Sequence, residues 1–106
     1  GAAAIERIEN IHADLFFMGV TGIHPDAGLT TGDFEEACIK RAFSGRAAET
    51  VVLASPEKIN TASSFVIGDV SSVNTIIVED GTDKEWIRAV SEKGVSVVLT
   101  SDRDSL

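Results

Sequence analysis

Four short apolar runs, Leu15 to Val20, Thr50 to Ala54, Thr75 to Val78 and Val95 to Leu99, constrain this chain more than any other feature. They show no apolar–polar alternation, and continuous aliphatic runs of this length mark strands covered on both faces. Helix-patterned sequence precedes the first run and separates others. Strands that alternate with helices are joined by right-handed crossovers into a mostly parallel sheet. The expectation is a three-layer α/β fold with a mostly parallel sheet of about four strands and flanking helices.

The first helix is predicted over Ala2 to Ile11, where Ile5, Ile8 and Ile11 fall three apart with Glu6, Arg7, Glu9 and Asn10 between them. The stretch from Thr21 to Gly32, with Gly22, Pro25, Gly28 and Gly32, reads as a loop. A second helix is predicted to begin near Thr31 or Asp33, with Glu36 three residues after Asp33, and to bury Phe34, Cys38, Ile39, Ala42 and Phe43. Acids lead this helix (Asp33, Glu35, Glu36) and bases trail (Lys40, Arg41, Arg46), which suits the helix dipole; Gly45 suits its end. Phe65 to Ile67 is a candidate short strand. Thr82 to Glu85 reads as a capping box for a third helix carrying Trp86, Ile87 and Val90 and closing at Gly94.

At 106 residues the chain is a single domain by length. Its 17 acidic against 9 basic residues leave a net charge of −8, which repels phosphodiester backbones and argues against nucleic-acid binding by this chain alone. The lone Cys38 cannot form an internal disulfide, in keeping with a reducing cytoplasm. No apolar run is long enough to span a bilayer, so no membrane partner is expected. A helix opens the chain with no strand before it, and a sheet of four strands makes a thin core. The chain is therefore expected to be a fragment of a larger protein.

Three groups of residues could carry chemistry. Gly19-Val20-Thr21-Gly22 follows the first strand, where glycines either admit a ligand to the backbone and its N–H groups or simply supply a turn of positive φ. Glu36 and Lys40 lie i, i+4 in the favourable order: a surface ion pair taken alone, or a cation offered to a ligand and held in place by the acid. Ser55-Pro56-Glu57-Lys58 leaves the end of the second apolar run, from which Lys58 can reach over the sheet's edge. Each lies just past a strand's carboxyl end or on the helix between two strands, by the crevice where open α/β sheets bind small ligands. His12 and His24 have no Cys or carboxylate at metal-site spacing, Cys38 sits on an apolar stripe, and neither a metal nor a cofactor is expected.

Taken together, ADLFFMGVTGIHPDAGLTTGDFEEACIKRAFSGRAAETVVLASPEKIN resembles the effector-sensing domain of DeoR-type bacterial transcription regulators. The family pattern is AD-x-x-F-x-G-x-x-G-I, then GLT, an E-x-x-x-K helix and a buried strand ending in D-x-S-K. Ala13, Asp14, Phe17, Gly19, Gly22 and Ile23 fit the first part, Gly28, Leu29 and Thr30 the second, and Glu36 with Lys40 the third. The last departs: Ser55 stands for Asp and Glu57 for Ser, while Lys58 is retained. The resemblance implies a cytoplasmic regulator, homo-oligomeric at full length, whose sensor binds a phosphorylated sugar or related metabolite through Gly19, Thr21, Gly22, Glu36, Lys40, Ser55 and Lys58. Residues 1–106 would be the C-terminal part of that sensor, without its phosphate-binding loop, and DNA would be bound only by a separate N-terminal winged helix-turn-helix. The sensor fold is similar to ribose-5-phosphate isomerase and the CoA-transferases, so a divergent fragment of such an enzyme is the alternative. The isomerase carries D-G-A-D-E after the matching strand, whereas this chain has Met18-Gly19-Val20-Thr21-Gly22, with no carboxylate to act as base. A dimerisation domain with a vestigial pocket would share the same motifs.

Overall fold

The computed structural model describes residues 2–101. Its centre is a four-stranded, wholly parallel sheet formed by β1 (Ala13–Met18), β4 (Ala47–Ala54), β6 (Thr75–Val78) and β7 (Ser96–Leu99), in that spatial order. Adjacent strands hold a constant register, with Phe17 opposite Val51, Val51 opposite Thr75 and Thr75 opposite Ser96. Three helices accompany it, α1 (Ala2–Glu9), α2 (Phe34–Arg46) and α3 (Lys84–Ser91). The parallel sheet and its helices are consistent with the three-layer α/β class expected.

The predicted loop between the first strand and the second helix is instead a hairpin. Strands β2 (Gly22–His24) and β3 (Gly28–Thr31) pair antiparallel, and β5 (Phe65–Gly68) joins the other side of β3. Its turn is closed by His24, whose Nδ1 accepts the backbone N–H groups of Asp26 (3.0 Å) and Ala27 (3.1 Å). His12 in turn faces the Arg46 guanidinium at 3.1 Å.

One face of the parallel sheet carries the core. Met18, Val52, Ala54, Ile76 and Val78 pack there against Ile23 and Leu29 of the hairpin, Ala37 of α2, Ile67 of β5, and Trp86 and Val90 of α3. Trp86 is almost wholly buried and donates its indole N–H to the Ile23 carbonyl at 3.3 Å, tying α3 to the hairpin. Asp33 caps α2, its carboxylate accepting the Glu36 N–H at 3.1 Å.

Several local expectations need correction. α2 runs past Gly45 to Arg46, and Ala47 passes straight into β4 in extended conformation. Asp83, not Thr82, caps α3; the Thr82 hydroxyl donates to the Glu79 carbonyl instead. Phe34 is exposed rather than core, packing edge-on against Phe65, and Cys38 is half-buried beside Ala2 and Ile5 of α1. The strands are not covered on both faces either: Leu15, Phe17 and Leu53 are exposed on the side away from the core.

Candidate functional site

β1 and β4 are parallel neighbours, with Met18 opposite Val52, so Gly19 and Ser55 leave the sheet along the same carboxyl edge. The chain after β1 is held from both ends. Thr21 donates its N–H to the Thr30 carbonyl (2.9 Å), and the buried Thr30 hydroxyl donates to the Gly22 carbonyl (3.3 Å) while accepting the Ser63 N–H (2.8 Å).

The turn reading of the two glycines does not hold, because positive φ among the described glycines belongs to Gly28, Gly81 and Gly94. At Gly22 the need is space: a Cβ would stand 2.5 Å from the Thr61 carbonyl oxygen. At Gly19 a Cβ would meet only the Lys40 ammonium, at an ordinary 3.9 Å. The backbone group that Gly19 turns toward Lys40 is its carbonyl. The Thr21 N–H is spent on the Thr30 carbonyl.

Lys40 occupies the corner between β1 and α2. Its ammonium donates to the Gly19 carbonyl at 2.6 Å and lies 2.7 Å from Glu36 Oε1. The second Glu36 oxygen accepts the hydroxyl of Thr31, a buried residue at the end of β3, at 3.3 Å. Hydrogen bonding from Lys40 comes first, then its charge and the Thr31 hydroxyl, and together they outweigh desolvation and hold the Glu36 carboxyl below the ordinary glutamate range. Only 19% of the Lys40 side chain is exposed, so the pair is more than a loose surface contact. Thr31 was considered in the sequence only as a helix cap; its bond to Glu36 depends on the hairpin, which had no recognised signal.

Ser55, Glu57 and Lys58 form a second corner. A single 3-10 turn spans Pro56–Lys58, and the Ser55 hydroxyl donates to Glu57 Oε1 at 2.5 Å. That hydrogen bond is the main reason the Glu57 carboxyl is held below the glutamate range, with the Lys58 charge contributing least. The half-buried Lys58 makes no side-chain hydrogen bond or ion pair among the described residues. Its backbone is fixed instead: Thr61 donates its hydroxyl to the Lys58 carbonyl (2.9 Å), Ile59 bridges Ile23, and Asn60 donates its N–H to the Ile23 carbonyl (2.9 Å). Asn60 takes φ +60°, a left-handed conformation that asparagine tolerates better than most residues. A hollow of about 300 Å³ opens beside this turn, lined by Pro56, Ile59, Asp80, Gly81, Thr82 and Asp83; Lys40 is not among its lining residues.

The structure thus groups Gly19, Glu36 and Lys40 through direct bonds, and Ser55 and Lys58 in a separate turn. Thr61 joins the two groups, touching Gly22 on one side and the Lys58 carbonyl on the other. Met18, the last residue of β1, is buried in the core. No three His, Cys, Asp or Glu side chains among the described residues are grouped to hold a metal, and no described helix is long and apolar enough to cross a membrane.

Comparison with known proteins finds a sensor-domain family. The family described as the DeoR C terminal sensor domain matches residues 1–80, and the chain belongs to that family. Among similar proteins, the "Uncharacterized HTH-type transcriptional regulator FruR" of Bacillus subtilis (strain 168) is 35% identical over 78 residues, 71% of this chain and 31% of the relative. The "HTH-type transcriptional regulator GolR" of Listeria innocua serovar 6a is 29% identical over 99 residues, 93% of this chain and 39% of the relative. The "HTH-type transcriptional regulator GlpR" of Haloferax volcanii is 26% identical over 98 residues, 92% of this chain and 38% of the relative. The chain spans less than two fifths of the length of each of these three relatives.

Proposed function

We propose that this chain is the C-terminal part of the effector-sensing domain of a transcription regulator, and that its carboxyl-edge corner receives a phosphorylated sugar or related metabolite. The observation that carries the ligand class is Lys40. An ammonium has three donors; two are committed to the Gly19 carbonyl and Glu36, so the group is fixed in place with one donor left for a ligand. Lys58, without a side-chain partner among the described residues, supplies a second positive charge from the turn after β4. In a protein of net charge −8, two lysines at one sheet edge are where an anion would be accepted. Thr21 and Ser55 offer hydroxyls to a sugar, and Gly19 and Gly22 keep the backbone low between them.

DNA binding belongs, in this reading, to a separate N-terminal winged helix-turn-helix outside residues 1–106; the similar proteins above are named as HTH-type transcriptional regulators. The protein works in the cytoplasm as a homo-oligomer and performs no chemistry, since no carboxylate stands where an isomerase would need its base. The test is release of the full-length protein from its operator, measured by fluorescence anisotropy against a panel of phosphorylated and unphosphorylated sugars. A phosphorylated member should release it and the parent sugar should not. Failure of every phosphorylated member, with a non-phosphorylated metabolite acting instead, would overturn the ligand class.

A further inference from the structure

β3 is buried along its whole length, from Gly28 to Thr31, although it ends in two threonines. Thr30 is 1% exposed and Thr31 2%, and with Thr50 they are the buried polar residues among those described. Valine would fill the same space with no hydroxyl to desolvate, so a threonine is favoured here only where its hydroxyl is bonded. Both hydroxyls are bonded, and in different directions, because successive side chains of a strand point to opposite faces. Thr31 donates to Glu36 Oε2 at 3.3 Å, and Glu36 Oε1 lies 2.7 Å from the Lys40 ammonium. A glutamate carboxylate turns easily about its last torsion; bonds at both oxygens remove that freedom, and with it the play of Lys40. Thr30 donates to the Gly22 carbonyl at 3.3 Å and accepts the Ser63 N–H at 2.8 Å. Ser63 ends the run after Lys58, in which the Asn60 N–H is bonded to the Ile23 carbonyl and the Thr61 hydroxyl to the Lys58 carbonyl. One strand end thus reaches both lysine corners.

We propose that Thr30 and Thr31 are positioning residues of the effector site. Thr31 sets the Lys40 ammonium through Glu36, and Thr30 sets the Lys58 turn through Ser63 and the Gly22 carbonyl. Both act from beneath the site, without touching the effector. Their service to effector binding rests on the ligand reading above; their hold on the two corners does not.

Two substitutions at Thr31 separate positioning from packing in the full-length protein. Thr31→Val keeps the volume and removes the hydroxyl; Thr31→Ser keeps the hydroxyl and removes a methyl. Operator release is titrated with the same panel of sugar phosphates that tests the ligand class. Thr31→Ser should respond within about twofold of the wild type even where its unfolding midpoint falls, and Thr31→Val should need at least about fivefold more of the same sugar phosphate, as for one lost hydrogen bond. A response that follows the midpoint instead, impaired in Thr31→Ser and normal in Thr31→Val, would reduce Thr31 to packing and overturn the proposal. Acetylation by acetic anhydride, mapped by mass spectrometry, tests the Lys40 corner with no effector present. Lys40 should react more slowly than Lys84 on the exposed start of α3. Thr31→Val should narrow that ratio at least about threefold, and Thr31→Ser should leave it. An unchanged ratio in Thr31→Val would overturn the role of Thr31 whatever the panel shows. A narrowed ratio with no sugar phosphate active would support that role and overturn the ligand reading. On the other side, Thr30→Val should speed amide hydrogen exchange at residues 60–63 at least about tenfold, and Thr30→Ser should not. Unchanged exchange in Thr30→Val would overturn the role of Thr30. Should Thr30→Val not fold, the wild type decides: the Ser63 amide should exchange slowly, and rapid exchange would overturn the bond to Thr30.

Discussion

Lys40 and Lys58 stand at the same edge of the sheet and are held in opposite ways. Lys40 has a fixed head: its ammonium is bonded to Glu36 and to the Gly19 carbonyl, and its side chain is largely enclosed. Lys58 has a fixed backbone, through Thr61, Ile59 and Asn60, and a head with no bonded partner among the described residues. Identical side chains therefore do different work. Removing Lys40 disturbs the join between β1 and α2, whereas removing Lys58 subtracts a charge from the edge and little else.

The residue between the two corners should show the largest effect on the fold. Gly22→Ala drives a Cβ against the Thr61 backbone, 2.5 Å away, where nothing flexible can yield. Overpacking of this kind costs about 1–3 kcal/mol, and thermal unfolding followed by the fluorescence of Trp86, the one tryptophan, should register it. Gly19→Ala, which meets only the mobile end of Lys40 at 3.9 Å, should leave the midpoint nearly unchanged. Equal losses at both glycines would erase the distinction between the corners.

A smaller effect separates Lys40 from Lys58 by pH. Glu36 is held below its ordinary range chiefly by Lys40, so its contribution to stability is fully present above the ordinary glutamate value, about 4.3, and is lost as pH falls through the lower folded value. Glu36→Gln should therefore lower the unfolding midpoint modestly at neutral pH, and the gap to the wild type should close as the solution is made strongly acidic. Glu57 and Asp69 are also held low, by the Ser55 and Ser71 hydroxyls, so acid will weaken the variant as well, with a shallower slope. A gap that stays constant into acid would mean that the Lys40–Glu36 contact does not form in solution.

How legible this was differs element by element. β6 begins at Thr75 and ends at Val78, as its four aliphatic and β-branched residues require, and the Asp33 cap followed from an acid three residues before Glu36. The β2–β3 hairpin was hidden because its strands are only three and four residues long and carry glycines read as loop signals. What closes it, His24 accepting two N–H groups, is a contact no periodicity reports. The i, i+4 pairing of Glu36 with Lys40 is local and could be read directly. The Gly19 carbonyl, 21 residues away in sequence, becomes a partner only once β1 and α2 are packed. The role of Thr31 is out of reach for the same reason. The exposure of Leu15, Phe17 and Leu53 runs the other way: their apolar character was read as two-sided burial, whereas the described residues supply cover on one side only.

The most direct test of the account is Lys58→Ala in the full-length protein, read as operator release by the phosphorylated sugar that acts on the wild type. Because the Lys58 head has no bonded partner among the described residues, Trp86 emission and the unfolding midpoint should not move. Because a charge-assisted contact to the ligand is lost, the effector concentration needed for release should rise at least about tenfold. A variant that keeps its fold and responds at the wild-type concentration would contradict the assignment of this corner as the effector site.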